Sequence, residues 1–312
     1  MSDGYAVLFP GQGSQFVGMG ADLFAARPDL LGDAADEILG WSLRATCLEG
    51  PEEILTRTDR AQAALFALSY ALWEELAGRA PSPVAAAGHS LGQYTALAAA
   101  GAFDFATGLR LVAARGRAMA EAAEAEPSGM VALLGTDAAA AEDICARRRA
   151  AGGRLWVANV NAPGQVVVAG AAADTAWLVD EARALGVRRA IPLKVAGAFH
   201  TPFMAGAADA LAGALEGVPF APPAFPVWDN ATARPFPADD PVGTLTRQLV
   251  SPVRFGESLE GMAAAGAGAF VHVGPGDVTA GMARRSVPDA AVLAVTSLAE
   301  AGDAAGALAA IQ

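Results

Sequence analysis

VAAAGHSLGQYTALAAAG, residues 84–101, runs a short apolar segment into a G-x-S-x-G pentapeptide and then into an Ala-rich stretch of helical character. Small residues at Gly88 and Gly92 let the chain turn sharply from strand to helix, which lifts a serine hydroxyl clear of the strand end where a base can reach it. Ser90 is therefore the candidate nucleophile. In a chain with 35 glycines such a pentapeptide also arises by chance, and a plain packing turn is the competing reading. Context separates the two: an apolar run precedes the turn, and no helix breaker follows it until Gly101.

Outward from this elbow the chain alternates strand and helix. Tyr5–Phe9 reads as a short buried strand entering the loop Pro10-Gly11-Gln12-Gly13-Ser14-Gln15, with helices expected near 28–40, 51–57 and 60–78. The segment AQAALFALSYALWEELAG is apolar nearly all round, the pattern of a helix buried on several sides. Val84–Ala87 is read as a central strand. Repeated strand-to-helix succession predicts an α/β fold with a parallel sheet covered on both faces and functional groups at the carboxyl ends of its strands. Between 128 and 195 the texture changes. GMVALLG, LWVANVNAPGQVVVAG and RRAIPLKVAG read as strands, the middle one a hairpin turning at Ala162-Pro163-Gly164, with helices at 137–152 and 174–186. The resulting β-α-β-β-α-β order predicts a ferredoxin-like small subdomain, 128–195, inserted into a larger body made of 1–127 and 196–312. In that body a helix near 202–216, a strand near 225–229, helices at 242–249 and 256–266, and a strand at Ala269–Val273 are expected.

Of 312 residues, 54% are hydrophobic and 17% charged, which excludes a disordered chain. No run of 18 uninterrupted apolar residues occurs, and Asp3 stands where a secretory signal would carry basic residues, so a soluble, cytoplasmic protein without membrane contact is expected. A net charge of −12, with Lys194 the only lysine, speaks against nucleic acid as a partner. Arginines cluster at Arg147, Arg148, Arg149 and Arg154, at Arg188 and Arg189, and at Arg284 and Arg285. Each cluster reads first as a solvated face, though on an acidic protein such patches can dock an acidic partner. Cys47 and Cys145 are isolated and read as packing residues, with neither a disulfide nor a metal site expected.

A serine nucleophile needs a base, and His89, His200 and His272 are the three histidines. His89 directly precedes Ser90, and neighbouring side chains on a strand-like backbone point to opposite faces, so its ring is expected beneath the elbow. His200, in KVAGAFHTPFM just after the insertion, overlooks the cleft between subdomains and is favoured over His272, whose apolar surroundings in FVHVG suit a structural histidine.

Six motifs now stand in one order: LFPGQGSQFVGMG at 8–20, GHSLGQYTALAAAG at 88–101, RGRAM at 115–119, NVNAPGQVVVAG at 159–170, GAFHTPFM at 197–204 and VGPGDV at 273–278. With them the chain resembles the malonyl-CoA:acyl-carrier-protein transacylases of fatty acid and polyketide synthesis over almost its whole length. The resemblance implies an α/β-hydrolase-like large subdomain and a ping-pong mechanism. Ser90 would attack the acyl-CoA thioester, and His200 would act as base and then activate the phosphopantetheine thiol of the carrier protein. It implies that the backbone carbonyl of Gln248, in RQLVSPV, orients His200, and that the N–H groups of Gln12 and Leu91 form an oxyanion hole. Coenzyme A thioester enters as substrate, no cofactor is implied, and the partner is a separate acyl carrier protein met in trans; a monomer is the default expectation, which the resemblance does not decide.

By the same resemblance Arg115 pairs its planar fork with the free carboxylate of a malonyl group, while its competing reading is a surface arginine paired with Glu121 or Glu124. Phe199 would crowd an α-methyl branch, a preference worth only about 1–3 kcal/mol. Gln93 departs from the glutamate usual in the family and, with Asn161, completes the implied substrate-binding set. Two other functions compete: a transferase for an unusual acyl group or editing acyl hydrolase using the same Ser90 and His200, and a non-catalytic carrier-docking module. Arg115 argues against the hydrolase of uncharged chains, and the presence of both Ser90 and His200 argues against the docking module.

Overall fold

The computed structural model describes residues 4–310; Asp3 lies outside the described residues. The chain opens with β1 (Gly4–Phe9), followed by the short helices α1 (Ala21–Ala26), α2 (Pro28–Leu31), α3 (Asp33–Leu39), α4 (Leu43–Leu48) and α5 (Glu52–Leu55), and the long α6 (Thr58–Ala77). Next come β2 (Ala85–Gly88), α7 (Gly92–Ala99), α8 (Phe105–Ala125), β3 (Ser128–Leu134), α9 (Ala138–Ala150), β4 (Leu155–Ala162), β5 (Gln165–Ala171), α10 (Ala172–Glu181) and β6 (Arg189–Pro192). A 3-10 turn at Pro202–Met204 leads into α11 (Ala205–Leu215), β7 (Val227–Asp229), β8 (Arg234–Pro235), α12 (Pro241–Val250), β9 (Val253–Arg254) and α13 (Phe255–Ala264). The chain closes with β10 (Ala267–Val273), α14 (Val278–Ser286), β11 (Ala291–Val295) and α15 (Leu298–Ala309).

One sheet runs in the order β11-β10-β1-β2-β7-β8, parallel from β11 to β7 and antiparallel at the β8 edge. β1 and β2 are buried at every position, as strands in the middle of a sheet covered on both faces must be. Their carboxyl ends, with those of β7 and β10, lie together and carry the loops that matter for chemistry. The helix α6 is buried on most of its surface and packs along α8. Phe66, Tyr70 and Phe105 stack there, with ring centroids 5.3–6.1 Å apart, each pair adding about 0.5–1.5 kcal/mol beyond its buried area.

The second sheet has the order β6-β3-β5-β4-β9, with β3 through β6 antiparallel and β9, which follows α12 much later in the chain, pairing parallel to β4 at Asn159 and Val160. Several expectations are corrected here. The helix expected at 28–40 is split in two by extended backbone at Gly32. The expected strand RRAIPLKVAG pairs only through Arg189–Pro192 and continues as irregular chain. β9, α14, β11 and α15 have no counterpart among the elements expected from sequence. Cys47 and Cys145 are free and buried, and burial pushes both thiols up to about 12, which keeps them unreactive. Among the described residues no helix is long and apolar enough to cross a membrane.

Candidate active site

The G-x-S-x-G spacing is enforced by steric contact. A Cβ on Gly88 would lie 1.8 Å from the carbonyl carbon of Gly92, and one on Gly92 would lie 2.5 Å from the Phe9 carbonyl oxygen. With both positions bare, β2 turns into α7 tightly enough to place Ser90 in the left-handed region at φ 54°. That conformation is costly for a residue with a side chain and persists only where surrounding bonds hold it. Asn230, just past the end of β7, supplies them: its Oδ1 accepts from the Ser90 N–H at 2.8 Å and its Nδ2 donates to the Gly88 carbonyl at 2.8 Å.

Ser90 Oγ lies 2.8 Å from His200 Nε2. His200 is itself held at φ 60°, buried, with Nδ1 2.9 Å from the backbone carbonyl of Gln248. A carbonyl can only accept, so Nδ1 carries the proton and Nε2 offers its lone pair to the serine hydroxyl. Burial, reinforced by the positive Arg115 nearby, brings the His200 pKa down to about 3. The ring is therefore neutral near pH 7, with its Nε2 lone pair unprotonated.

Arg115, on α8, is fully buried. Its Nη1 donates to Gln62 Oε1 at 2.6 Å, and its Nη2 donates to Ser90 Oγ and to Gln248 Oε1, each at 3.0 Å. The guanidinium also sits 5.5 Å from the centroid of the Tyr94 ring. Neither Glu121 nor Glu124 reaches it, and all of its hydrogen-bond partners are neutral oxygens. Desolvation works against the charge and lowers its pKa. A buried cation without a counter-ion is costly unless an anion completes the site.

These groups border a cavity of about 210 Å³ whose apolar wall includes Met119, Met130, Val167, Leu193, Phe199 and Met282. Gln12 and Leu91 line it too, and among the described residues neither backbone N–H has an acceptor. A larger hollow of about 490 Å³ beside Arg110 and Arg117 shares no residue with this cavity and is lined by neither a serine nor a histidine. Asn161 also borders the cavity, with its Oδ1 2.8 Å from His89 Nε2. His89 is thus part of the cavity wall, packed edge-on against Phe255, rather than turned wholly beneath the elbow. Desolvation lowers its pKa. His272 is buried between Thr279 Oγ1 at 2.6 Å and the Gly274 carbonyl at 3.1 Å, a satisfied structural histidine.

Gln93 is the correction. Placed among the substrate-binding residues from sequence, it is fully buried under the elbow and does not border the cavity. Its position in the first turn of α7 aims the side chain at the end of β7, where Nε2 donates to Asp229 Oδ1 at 3.2 Å and Oε1 accepts from the Asn230 N–H at 2.9 Å. Sequence reasoning also passes over Gln62, Asn230, Asp229 and the side chain of Gln248. The one available signal is that Asp229 and Asn230 follow an expected strand at its carboxyl end, where an α/β sheet gathers its polar groups. Among the described residues no cluster of His, Cys, Asp and Glu could hold a metal ion.

A family model described as "Acyl transferase domain" matches residues 7–301. The chain belongs to this family. It is 39% identical over 311 residues to the malonyl CoA-acyl carrier protein transacylase of Bacillus subtilis, covering 96% of this chain and 98% of the relative. The corresponding transacylase of Escherichia coli K12 is 40% identical over 289 residues, 91% of this chain and 93% of that one. Among solved structures, a malonyl-transacylase in complex with its type II PKS acyl-carrier protein superposes with a TM-score of 0.92 at 38% identity, covering 97% of this chain and 99% of that chain. This acyl transferase is therefore an enzyme of acyl transfer, built on a mixed α/β fold shared with those proteins.

Proposed function

We propose that this acyl transferase moves a malonyl group from coenzyme A to the phosphopantetheine thiol of an acyl carrier protein. The observation that carries the reading is Arg115, a buried guanidinium in contact with Ser90 Oγ and, among the described residues, without a carboxylate partner. A malonyl carboxylate supplies the missing anion and sets the acyl carbonyl beside the serine. An uncharged acyl chain would leave the cation uncompensated, which disfavours the editing hydrolase.

The chemistry proceeds in two balanced halves. Ser90 Oγ passes its proton to His200 Nε2 and bonds to the thioester carbonyl carbon, and the negative charge on the carbonyl oxygen falls to the N–H groups of Gln12 and Leu91. As the C–S bond breaks, the imidazolium returns the proton to the coenzyme A sulfur, leaving a malonyl ester on Ser90. In the second half the phosphopantetheine thiol gives its proton to His200, its sulfur attacks the ester, and Ser90 leaves with the proton. Phe199 narrows the cavity against branched donors.

In this reading the body built on the first sheet is α/β-hydrolase-like, and the segment 128–195 is a ferredoxin-like insertion that roofs the cleft. The carrier protein docks on the basic rim. Arg147, Arg148, Arg149 and Arg154 are engaged with Asp143, Asp174, Glu142 and Glu126, so this cluster is not the free one. Lys194 lies between the cavity residues Leu193 and Val195, and Arg284 and Arg285 follow Met282 on α14; all three cations are exposed.

Intact-protein mass spectrometry after brief exposure to malonyl-CoA, methylmalonyl-CoA and acetyl-CoA in competition tests the reading. A malonyl adduct that passes to added carrier protein is expected. Ser90→Ala should form no adduct, and His200→Ala should load about 10²–10⁴-fold more slowly. Acetyl loading in preference to malonyl would overturn the donor, and loading of Ser90→Ala would overturn the nucleophile.

A further inference from the structure

Beneath the elbow lies a hydrogen-bond network whose lower members, Asp229 and Gln93, do not border the cavity and enter no step of the transfer. Asp229, with no measurable exposure, accepts at Oδ2 from the Thr232 N–H at 2.9 Å and the Thr232 hydroxyl at 2.8 Å, and at Oδ1 from Gln93 Nε2. The other end of Gln93, Oε1, accepts from the Asn230 N–H and from Gln248 Nε2 at 3.1 Å. Gln248 Nε2 also faces the Ser90 carbonyl at 2.9 Å and Asn230 Oδ1 at 3.2 Å, while its Oε1 receives Arg115 and its backbone carbonyl receives His200.

Donor and acceptor roles pass along this chain without freedom. Position 229 faces a backbone N–H on one side and an amide N–H on the other, so both of its ends must accept, and among side chains of this shape only a carboxylate offers two acceptors. Gln93 then has to turn its nitrogen toward Asp229 and its oxygen toward Asn230 and Gln248. Gln248 must in turn present its nitrogen below and its oxygen to Arg115. We propose that Asp229 and Gln93 form a single polarity-setting unit, two positioning residues that fix the orientation of Gln248 and, through it, Arg115 and His200. The unit requires one carboxylate, and that carboxylate can occupy either position.

The consequence is a reciprocal swap. Asp229→Asn leaves one amide N–H facing another donor, and Gln93→Glu sets two carboxylates against each other. In the double variant, the amide introduced at position 229 keeps its oxygen on Thr232 and donates to the carboxylate introduced at position 93, whose second oxygen serves Asn230 and Gln248. Every buried group is then satisfied again. The proposal rests on the malonyl reading for one readout only, the ratio of malonyl to acetyl loading on Ser90. The second readout, the rate of Ser90 sulfonylation by phenylmethylsulfonyl fluoride across pH, needs no acyl donor. A wild-type enzyme that fails to load malonyl therefore sinks the function while leaving the network testable.

Each single variant is expected to lower both the loading ratio and the sulfonylation rate by about tenfold or more, the effect of one buried polar group left without its partner. The double variant should return to within about threefold of wild type, a coupling that only groups sharing one network display. Gln93→Met, of similar volume, keeps Asp229 on Thr232 but unties Gln248, and is expected to lose the malonyl preference even if both single variants fail to fold. Additive losses in the double variant, or an unchanged malonyl preference in folded Gln93→Met, would overturn the proposal.

Discussion

Replacing Arg115 with methionine separates what the guanidinium does for donor choice from what it costs the fold. In the resting protein the group is wholly buried, donates to three neutral oxygens, and among the described residues finds no partner for its Nε. Desolvating such a cation costs several kcal/mol. Its three hydrogen bonds return about 1.5–3 kcal/mol each. Methionine removes both contributions and strands the oxygens of Gln62 and Gln248 at about 1–3 kcal/mol each. The lost bonds and stranded oxygens outweigh the relieved desolvation, so the variant should unfold more easily by a few kcal/mol. Selectivity should fall much further. Two charge-assisted bonds to a malonyl carboxylate amount to about 3–6 kcal/mol, or roughly 10²–10⁴ in the malonyl-to-acetyl ratio of kcat/KM. Competitive loading followed by mass spectrometry measures that ratio, and urea unfolding measures the stability. A ratio kept within about threefold would refute the assignment of Arg115 as carboxylate receptor. A variant more stable than wild type would instead mean that desolvation of the cation outweighs its hydrogen bonds in the resting protein.

His200 should stay neutral far below the usual histidine range, since its pKa is brought down to about 3, so Ser90 sulfonylation should remain level as pH falls through 6.5. A sharp loss centred near 6.5 would contradict the burial of the ring. The same shift makes the fold acid-labile: between pH 6.5 and about 3 the unfolded chain binds a proton at this position that the native chain does not, so stability falls as pH falls. Urea midpoints for wild type and His200→Asn, compared at pH 7 and pH 5, should converge on acidification, and parallel curves would count against it. Gly88→Ala places a methyl carbon 1.8 Å from the Gly92 backbone, and the variant should lose the adduct entirely and unfold at least about 3 kcal/mol more easily; an active, stable variant would show that the elbow tolerates a wider turn.

The meeting of Ser90 and His200 is legible because both stand in local signals, an elbow with glycines on both sides and a strand-to-helix junction. The parallel sheet is legible from the succession of apolar runs and helices. What the sequence hides has particular causes. Gln62 and Asn230 reach the site across separations of 53 and 140 residues, which no periodicity reports. Gln93 misleads because nearness along the chain to Ser90 suggests nearness to substrate, whereas the first turn of α7 points that side chain the other way. The closing elements escape because α15 is built mostly of alanine and glycine, with few large apolar side chains to mark a face, and β11 is only partly buried.

β9 is two residues long, yet it alters where this protein can be cut and rejoined. It leaves α12, the helix that carries Gln248, and at once completes the edge of the other sheet beside Asn159 and Val160. An exchange of residues 128–195 between relatives would thus split a hydrogen-bonded ladder between two parents. The natural crossover unit for making hybrids includes residues 253–254, and donor preference should travel intact only when that strand travels with it.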